Sequence, residues 1–303
     1  MARLAHDVDL SATRSRYAAW IANEVNEAYA QYYRKSEVME RIRHLAADIT
    51  TAINHLPREQ RGWVAVRAAW LYQLNGQLDQ AQRNVELAHA DAEELADPAL
   101  LSWVYHQQAN VLAERGELEA ALRWYEQALQ RDEAAGDVEG QGVTMHAIGT
   151  VLARQGELEA ALRWYEQALQ RDEAAGDVEG QGVTMHAIGT VLARQGELEA
   201  ALRWYEQALQ RKEAAGDVQV QGLTLMTMGV LQFSRGDRTQ GLSNARKGLR
   251  LLQTIGSAET TTAAETVLWM EAVLSAKDDQ VTNGWVQRVV AWVLHIWRDW
   301  FRR

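Results

Sequence analysis

The 303 residues are 47% hydrophobic with only two prolines, which describes a folded, helix-rich chain rather than a disordered one. The absence of cysteine excludes a disulfide framework, thiolate catalysis and thiolate metal sites, and it fits a reducing compartment. A formal charge of -10 sets the body of the protein against phosphate backbones, so no nucleic acid is expected as a partner.

The opening MARLAHDVDLSATRSRY has no continuous apolar core, and no apolar run nears the roughly 20 residues needed to span a bilayer, so a cytoplasmic protein is expected. Residues 11–54 read as two helices. Ser11 is placed to cap the first, a stripe of Tyr17, Trp20, Tyr29, Tyr32 and Tyr33 runs along the pair, and the second stops before Pro57. Residues 1–57 are therefore expected to form an N-terminal helical cap.

The dominant signal comes next. Shifted by 40 places, the sequence matches itself without a break, Gly116–Arg171 over Gly156–Arg211, so residues 116–211 are a perfect 40-residue repetition. Periods of about 20–50 residues mark arrays in which each unit buries its apolar face only by stacking on a neighbour. Within one unit, Leu158, Ala161, Leu162, Tyr165, Ala168 and Leu169 recur at helical steps, and Val143, Ile148, Val151 and Leu152 form a second stripe. Gly156 and Gly176 separate the stripes, as glycine does where a helix ends at positive φ, and Asp177 is placed to cap the helix that follows.

Small and packing residues at Gly149, Leu152, Gly156, Ala161, Tyr165 and Ala168 resemble the tetratricopeptide repeat family. Comparable sets are Ala109, Leu112, Gly116, Ala121, Tyr125 and Ala128, then Ala69, Tyr72, Gly76, Ala81, Val85 and Ala88, and after the identical block Gly229, Gln232, Gly236, Gly241, Ala245 and Gly248. The period is 40 rather than 34. The family's early tryptophan is replaced by Met145 and Met185, and its inter-repeat proline is missing. In these respects the array is similar to the longer repeats of polarity adaptors and bacterial signalling proteins. The resemblance implies an all-α, right-handed α-solenoid of helix-turn-helix repeats with helical caps, five repeats over residues 58–256, and a groove lined by the first helix of each pair.

On that pattern the groove-facing candidates fall in three rows: His106, His146 and His186; Asn110, Thr150 and Thr190; Glu114, Arg154 and Arg194. Such ladders bind proteins or peptides. No metal or other cofactor is expected, because equivalent side chains on successive repeats stand roughly 10 Å apart, far beyond shared coordination at about 2 Å. The histidines admit two readings, a copied surface residue or a pH-responsive row. Each unit, as in Gly156–Gln195, carries seven acids (Glu157, Glu159, Glu166, Asp172, Glu173, Asp177 and Glu179) against three arginines. A solvated outer face explains this, and selection of a basic partner is the alternative. Tyr165 and Tyr205 are expected in the core, with Trp164 less deeply set.

Residues 257–279 read as a capping helix, followed by a polar break at Lys277–Gln280 and Asn283-Gly284. The tail, residues 280–303, reads as an amphipathic helix with Trp285, Trp292, Trp297, Trp300 and Phe301 on a broad apolar face and Arg288, Arg298, Arg302 and Arg303 opposite. Two uses stay open for it: capping or self-association into an oligomer, and peripheral attachment to an anionic membrane surface at the inner face of a membrane. No phosphate loop, zinc spacing, nucleophile elbow or triad is present, so the expected function is a non-enzymatic scaffold. A membrane-active effector of a bacterial conflict system, with the repeats as sensor, is the alternative.

Deleting residues 156–195 regenerates the same junction, so the shortened chain is expected to fold. Its circular dichroism should keep a helical spectrum and a cooperative thermal transition; loss of either contradicts the repeat reading.

Overall fold

The computed structural model describes residues 2–30, 35–215, 218–257 and 259–275. Among them are thirteen helices and no strand: α1 Ala2–Ala30, α2 Lys35–Ile53, α3 Arg58–Leu74, α4 Leu78–Leu95, α5 Pro98–Arg115, α6 Leu118–Ala135, α7 Val138–Gln155, α8 Leu158–Ala175, α9 Val178–Gln195, α10 Leu198–Ala215, α11 Val218–Ser234, α12 Arg238–Thr254 and α13 Thr260–Ser275. They fall into two compact units, α1–α6 and α7–α13. From α3 to α12 the helices pack as consecutive pairs, here termed A and B for the first and second member. The all-α helical-repeat architecture read from the sequence is the one observed. One boundary differs: α1 runs from Ala2 straight through Ser11, because nothing between them breaks a helix and extending one is far easier than nucleating it.

Two helices of 18 residues and two linkers of two residues fill the 40-residue period. Glycine makes linkers this short feasible. At the end of α8 Gly176 has φ 72°, its N–H bonds to Glu173 O at 3.2 Å, and Asp177 N–H reaches back to Asp172 O at 2.9 Å, the paired bonds of a Schellman turn. Asp177 then accepts from Gly180 N at 2.9 Å and caps α9, as the sequence indicated. The corresponding turn after α4 is made by Ala96, which holds the same left-handed conformation at φ 51° with a Cβ present.

Within a pair, contact depends on one small residue. A Cβ added at Gly149 would stand 2.8 Å from the ring of Tyr165, and one at Gly189 would stand 2.9 Å from Tyr205. Both tyrosines are buried. Pair α11/α12 dispenses with the ring, and Gly229 and Gly241 bring the two backbones together. A Cβ at Gly229 would lie 2.6 Å from Gly241 O. Forty residues after Gly229 stands Trp269, whose ring packs against Phe233 at 5.5 Å. With a tryptophan in place of the small residue, α13 has lost the feature that lets a B helix approach closely. Its Ala263, Val267, Met270 and Val273 join the core of α11 and α12. In the first unit a continuous core runs from Ala18, Ile21 and Val25 on α1 to Leu100, Val104 and Val111 on α5.

Two substitutions with opposite effects test these contacts in thermal unfolding followed by circular dichroism. Gly229→Ala drives a Cβ into backbone that has no side chain to move aside and is expected to destabilise by about 1–3 kcal/mol, whereas Ala96→Gly relieves left-handed strain and is expected to stabilise by about 0.5–1 kcal/mol.

Candidate functional site

The A helices carry every groove residue expected from the sequence, but two of the three rows turn into the seams between helices. The histidine rings lie against the tyrosine of their own pair, His106 on Tyr125 at 5.2 Å, His146 on Tyr165 at 5.1 Å and His186 on Tyr205 at 5.0 Å between centroids. In the second unit each imidazole also reaches the next A helix. His146 Nδ1 is 3.2 Å from Thr184 Oγ1, and His186 Nδ1 is 3.0 Å from Thr224 Oγ1. The second row serves the buried phenols. Thr150 donates to His146 O at 3.1 Å and so accepts from Tyr165 OH at 3.1 Å; Thr190 donates to His186 O at 2.9 Å and accepts from Tyr205 OH at 3.3 Å; Asn110 accepts from Tyr125 OH.

His186 and Thr190 are buried, and the remaining members of these two rows are half-buried. A phenol hydroxyl cut off from water must be given a partner, and these residues supply it. The third row lies closer to solvent. Arg194 is exposed and donates from Nη1 to Ala153 O at 2.7 Å, closing the end of α7, while Glu114 and Arg154 are half-buried and engaged in contacts of their own. Of the tail candidates, Trp285, Arg288, Trp292, Trp297, Arg298, Trp300, Phe301, Arg302 and Arg303 all lie outside the described residues.

In the first unit the structure gathers a cluster that sequence reasoning passed over. Tyr29 on α1 packs edge-on to Trp70 of α3 at 5.1 Å and to Trp103 of α5 at 6.3 Å. The Arg67 guanidinium sits 5.6 Å from the Tyr29 ring and 5.8 Å from the Trp63 ring, and its Nη1 donates to Asn26 Oδ1 at 2.7 Å. Trp63 Nε1 donates to Asp97 Oδ2 at 3.2 Å, while Trp103 is 40% exposed. The available signal was positional: Trp63 and Trp103 are 40 residues apart, at the place Val143 and Val183 hold in later repeats. Among the described residues no cluster of three His, Asp or Glu side chains could hold a metal, and no helix is long and apolar enough to cross a membrane.

Family models described as tetratricopeptide repeat match residues 140–214 and 102–127. Among solved structures, a Rap protein complexed with Competence and Sporulation Factor is similar with a TM-score of 0.64 at 12% identity, over 94% of this chain and 91% of the other. A signal transduction ATPase with numerous domains and a tetratricopeptide repeat sensor, from Pyrococcus horikoshii, gives 0.63 at 14% identity, over 97% of this chain and 46% of that one. BtubC from P. vanneervenii gives 0.56 at 18%, covering 80% and 92%. At such identities the likeness concerns fold. Comparison with curated protein sequences gives no match.

One member of the acidic set departs from the solvated face that the sequence suggests. Asp172 is buried where α7, α8 and α9 meet. Its Oδ2 accepts from Thr184 Oγ1 at 2.9 Å, and Gly142 packs so closely that a Cβ there would be 2.4 Å from Oδ1. Since Thr184 gives its one proton to Asp172, its oxygen accepts from His146, which assigns the proton of that imidazole to Nδ1. Burial raises the Asp172 carboxyl to about 6; the Thr184 hydrogen bond opposes the rise, and Asp177 and Glu173 add to it. Burial also lowers His106 to about 4, so that imidazole is neutral near pH 7. A raised carboxyl pKa means that the folded protein holds this proton more tightly than the unfolded chain. Its contribution to stability is complete below about pH 4 and is lost as the pH rises through about 6. Asp172→Asn keeps the shape without the charge and is expected to stabilise the fold at pH 7 by on the order of 2–3 kcal/mol. Thermal midpoints measured from pH 4 to pH 7 should show that advantage disappearing at the acid end.

Proposed function

The repeat array of this chain belongs to the tetratricopeptide repeat family, and from that premise we propose that the protein is a non-enzymatic scaffold holding a protein or peptide partner along the A-helix faces. The observation that carries this reading is the contrast between the two helices of a pair. Both kinds of helix expose charged side chains, but within the repeats the large apolar side chains left exposed among the described residues, Trp103, Val143 and Val178, all stand on A helices. Exposed apolar side chains on a rigid frame are what a partner can desolvate. A similar fold occurs in the Rap protein complexed with Competence and Sporulation Factor, which supports a protein or peptide as the ligand class.

The histidine and threonine rows have a structural role in this reading. Their phenol and hydroxyl bonds hold the A helices in place, and in each unit the contact surface is made by the side chains beside them, with Glu114 at its edge in the first unit and Arg154 and Arg194 in the second. We divide the chain into a helical cap at 1–57, five repeats at 58–256, a capping helix at 257–279 and a tail at 280–303. The tail, assigned on composition alone, serves assembly or attachment to a membrane surface, and the protein works in the cytoplasm. Nothing among the described residues favours the membrane-active effector.

Affinity capture with the full chain, with a version lacking residues 281–303 and with a Val143→Asp, Arg194→Glu variant tests this assignment. A protein partner is expected to survive loss of the tail and to be lost from the A-face variant. Retention by the A-face variant, or capture of lipid alone, contradicts it.

A further inference from the structure

Within the protein-binding reading, on which this inference rests, the aromatic cluster of the first unit has a chemistry of its own. α3 lies beside both α1 and α5, so Tyr29, Arg67, Trp70 and Trp103 come from three neighbouring helices. Arg67 is the unusual member. Arg58, Arg61 and Arg115 in the same unit each pair with a carboxylate, of Glu94, Asp91 and Asp79 respectively. Arg67 is half-buried and pairs with none among the described residues, although acids outnumber bases 41 to 31 in the chain. Its guanidinium is held between two ring faces and by the Asn26 carbonyl, which uses one of five donors and fixes the plane of the rest. Beside rings that exclude water, an ion pair made there is stronger than one on an open surface.

We propose that this cluster is a receptor for an extended peptide carrying an acidic side chain close to a large apolar one. The carboxylate pairs with Arg67, and the apolar side chain covers the exposed face of Trp103. Arg67 and Trp103 both stand against the ring of Tyr29, at 5.6 and 6.3 Å from its centroid, so one peptide segment can reach both. The neutral His106 imidazole, 6.5 Å from Trp103, adds no positive charge that would draw a second acid.

The test displays a random nonapeptide library to the immobilised full chain, then measures affinities of the selected peptides for the parent, Arg67→Gln, Arg67→Lys and Trp103→Ala proteins, with circular dichroism checking that each variant is folded. Enrichment of an acid close to a large apolar side chain is expected, with affinity falling at least tenfold in Arg67→Gln and in Trp103→Ala. Arg67→Lys keeps the charge without the planar stacking and should fall between Arg67→Gln and the parent. Selected peptides that lack the acid, or that bind Arg67→Gln and Trp103→Ala as tightly as the parent, overturn this site and leave the A-face reading standing. A library from which nothing is enriched overturns this site, while the A-face reading is decided by the affinity capture.

Discussion

Everything in this molecule rests on how closely two helices of a pair can approach. Gly149 and Gly189 leave room for a tyrosine ring to lie on the facing helix, and Gly229 with Gly241 removes side chains from both surfaces. The alanines around them, Ala161, Ala168, Ala201 and Ala208, are completely buried, so the interior of a repeat is made of small residues and a few rings rather than of large aliphatic ones. Dense packing of that kind tolerates little change in volume. In α13 the position 40 residues after Gly229 holds Trp269 instead of a small residue.

Close packing creates a second requirement, since it buries polar atoms along with apolar ones. The tyrosine hydroxyls, the imidazoles and Asp172 are satisfied by threonines on the same or the next A helix, so hydrogen bonding joins successive repeats in the second unit. In the first unit amides take part: Gln107 donates to Gln73 at 2.6 Å and Asn110 donates to Gln107 at 3.1 Å. Identity between repeats breaks at position 212, where lysine replaces the aspartate of positions 132 and 172. The buried carboxylate between α8 and α9 therefore has no counterpart 40 residues later.

The repeats share one frame, and their A-helix faces differ between α3 or α5 and the identical helices α7 and α9. The position occupied by Trp63 and Trp103 becomes Val143 and Val183, so the aromatic cluster around Arg67 is confined to the first unit while the helices beneath it keep the common plan. A scaffold of this type gains specificity from the few side chains that its own packing does not consume.

The sequence by itself determined that the chain is an array of helix pairs. The 40-residue identity, the helical spacing of Leu158, Ala161, Tyr165 and Ala168, and the glycines at Gly156 and Gly176 are local signals, set by backbone geometry and periodicity. Tertiary structure alone decided which A-helix residues face solvent. His146 and Thr150 sit at positions that a helical wheel assigns to the groove, yet whether they line it or fill a seam depends on where the tyrosine of one neighbouring helix and the threonine of another arrive. The same holds for Asp172, one of seven acids in its repeat and buried only because three helices meet around it, and for Arg67, whose ring partners come from α1 and from its own helix. Contacts between residues far apart in the chain leave no trace in spacing, because they follow from how the helices pack and not from the period of any one of them.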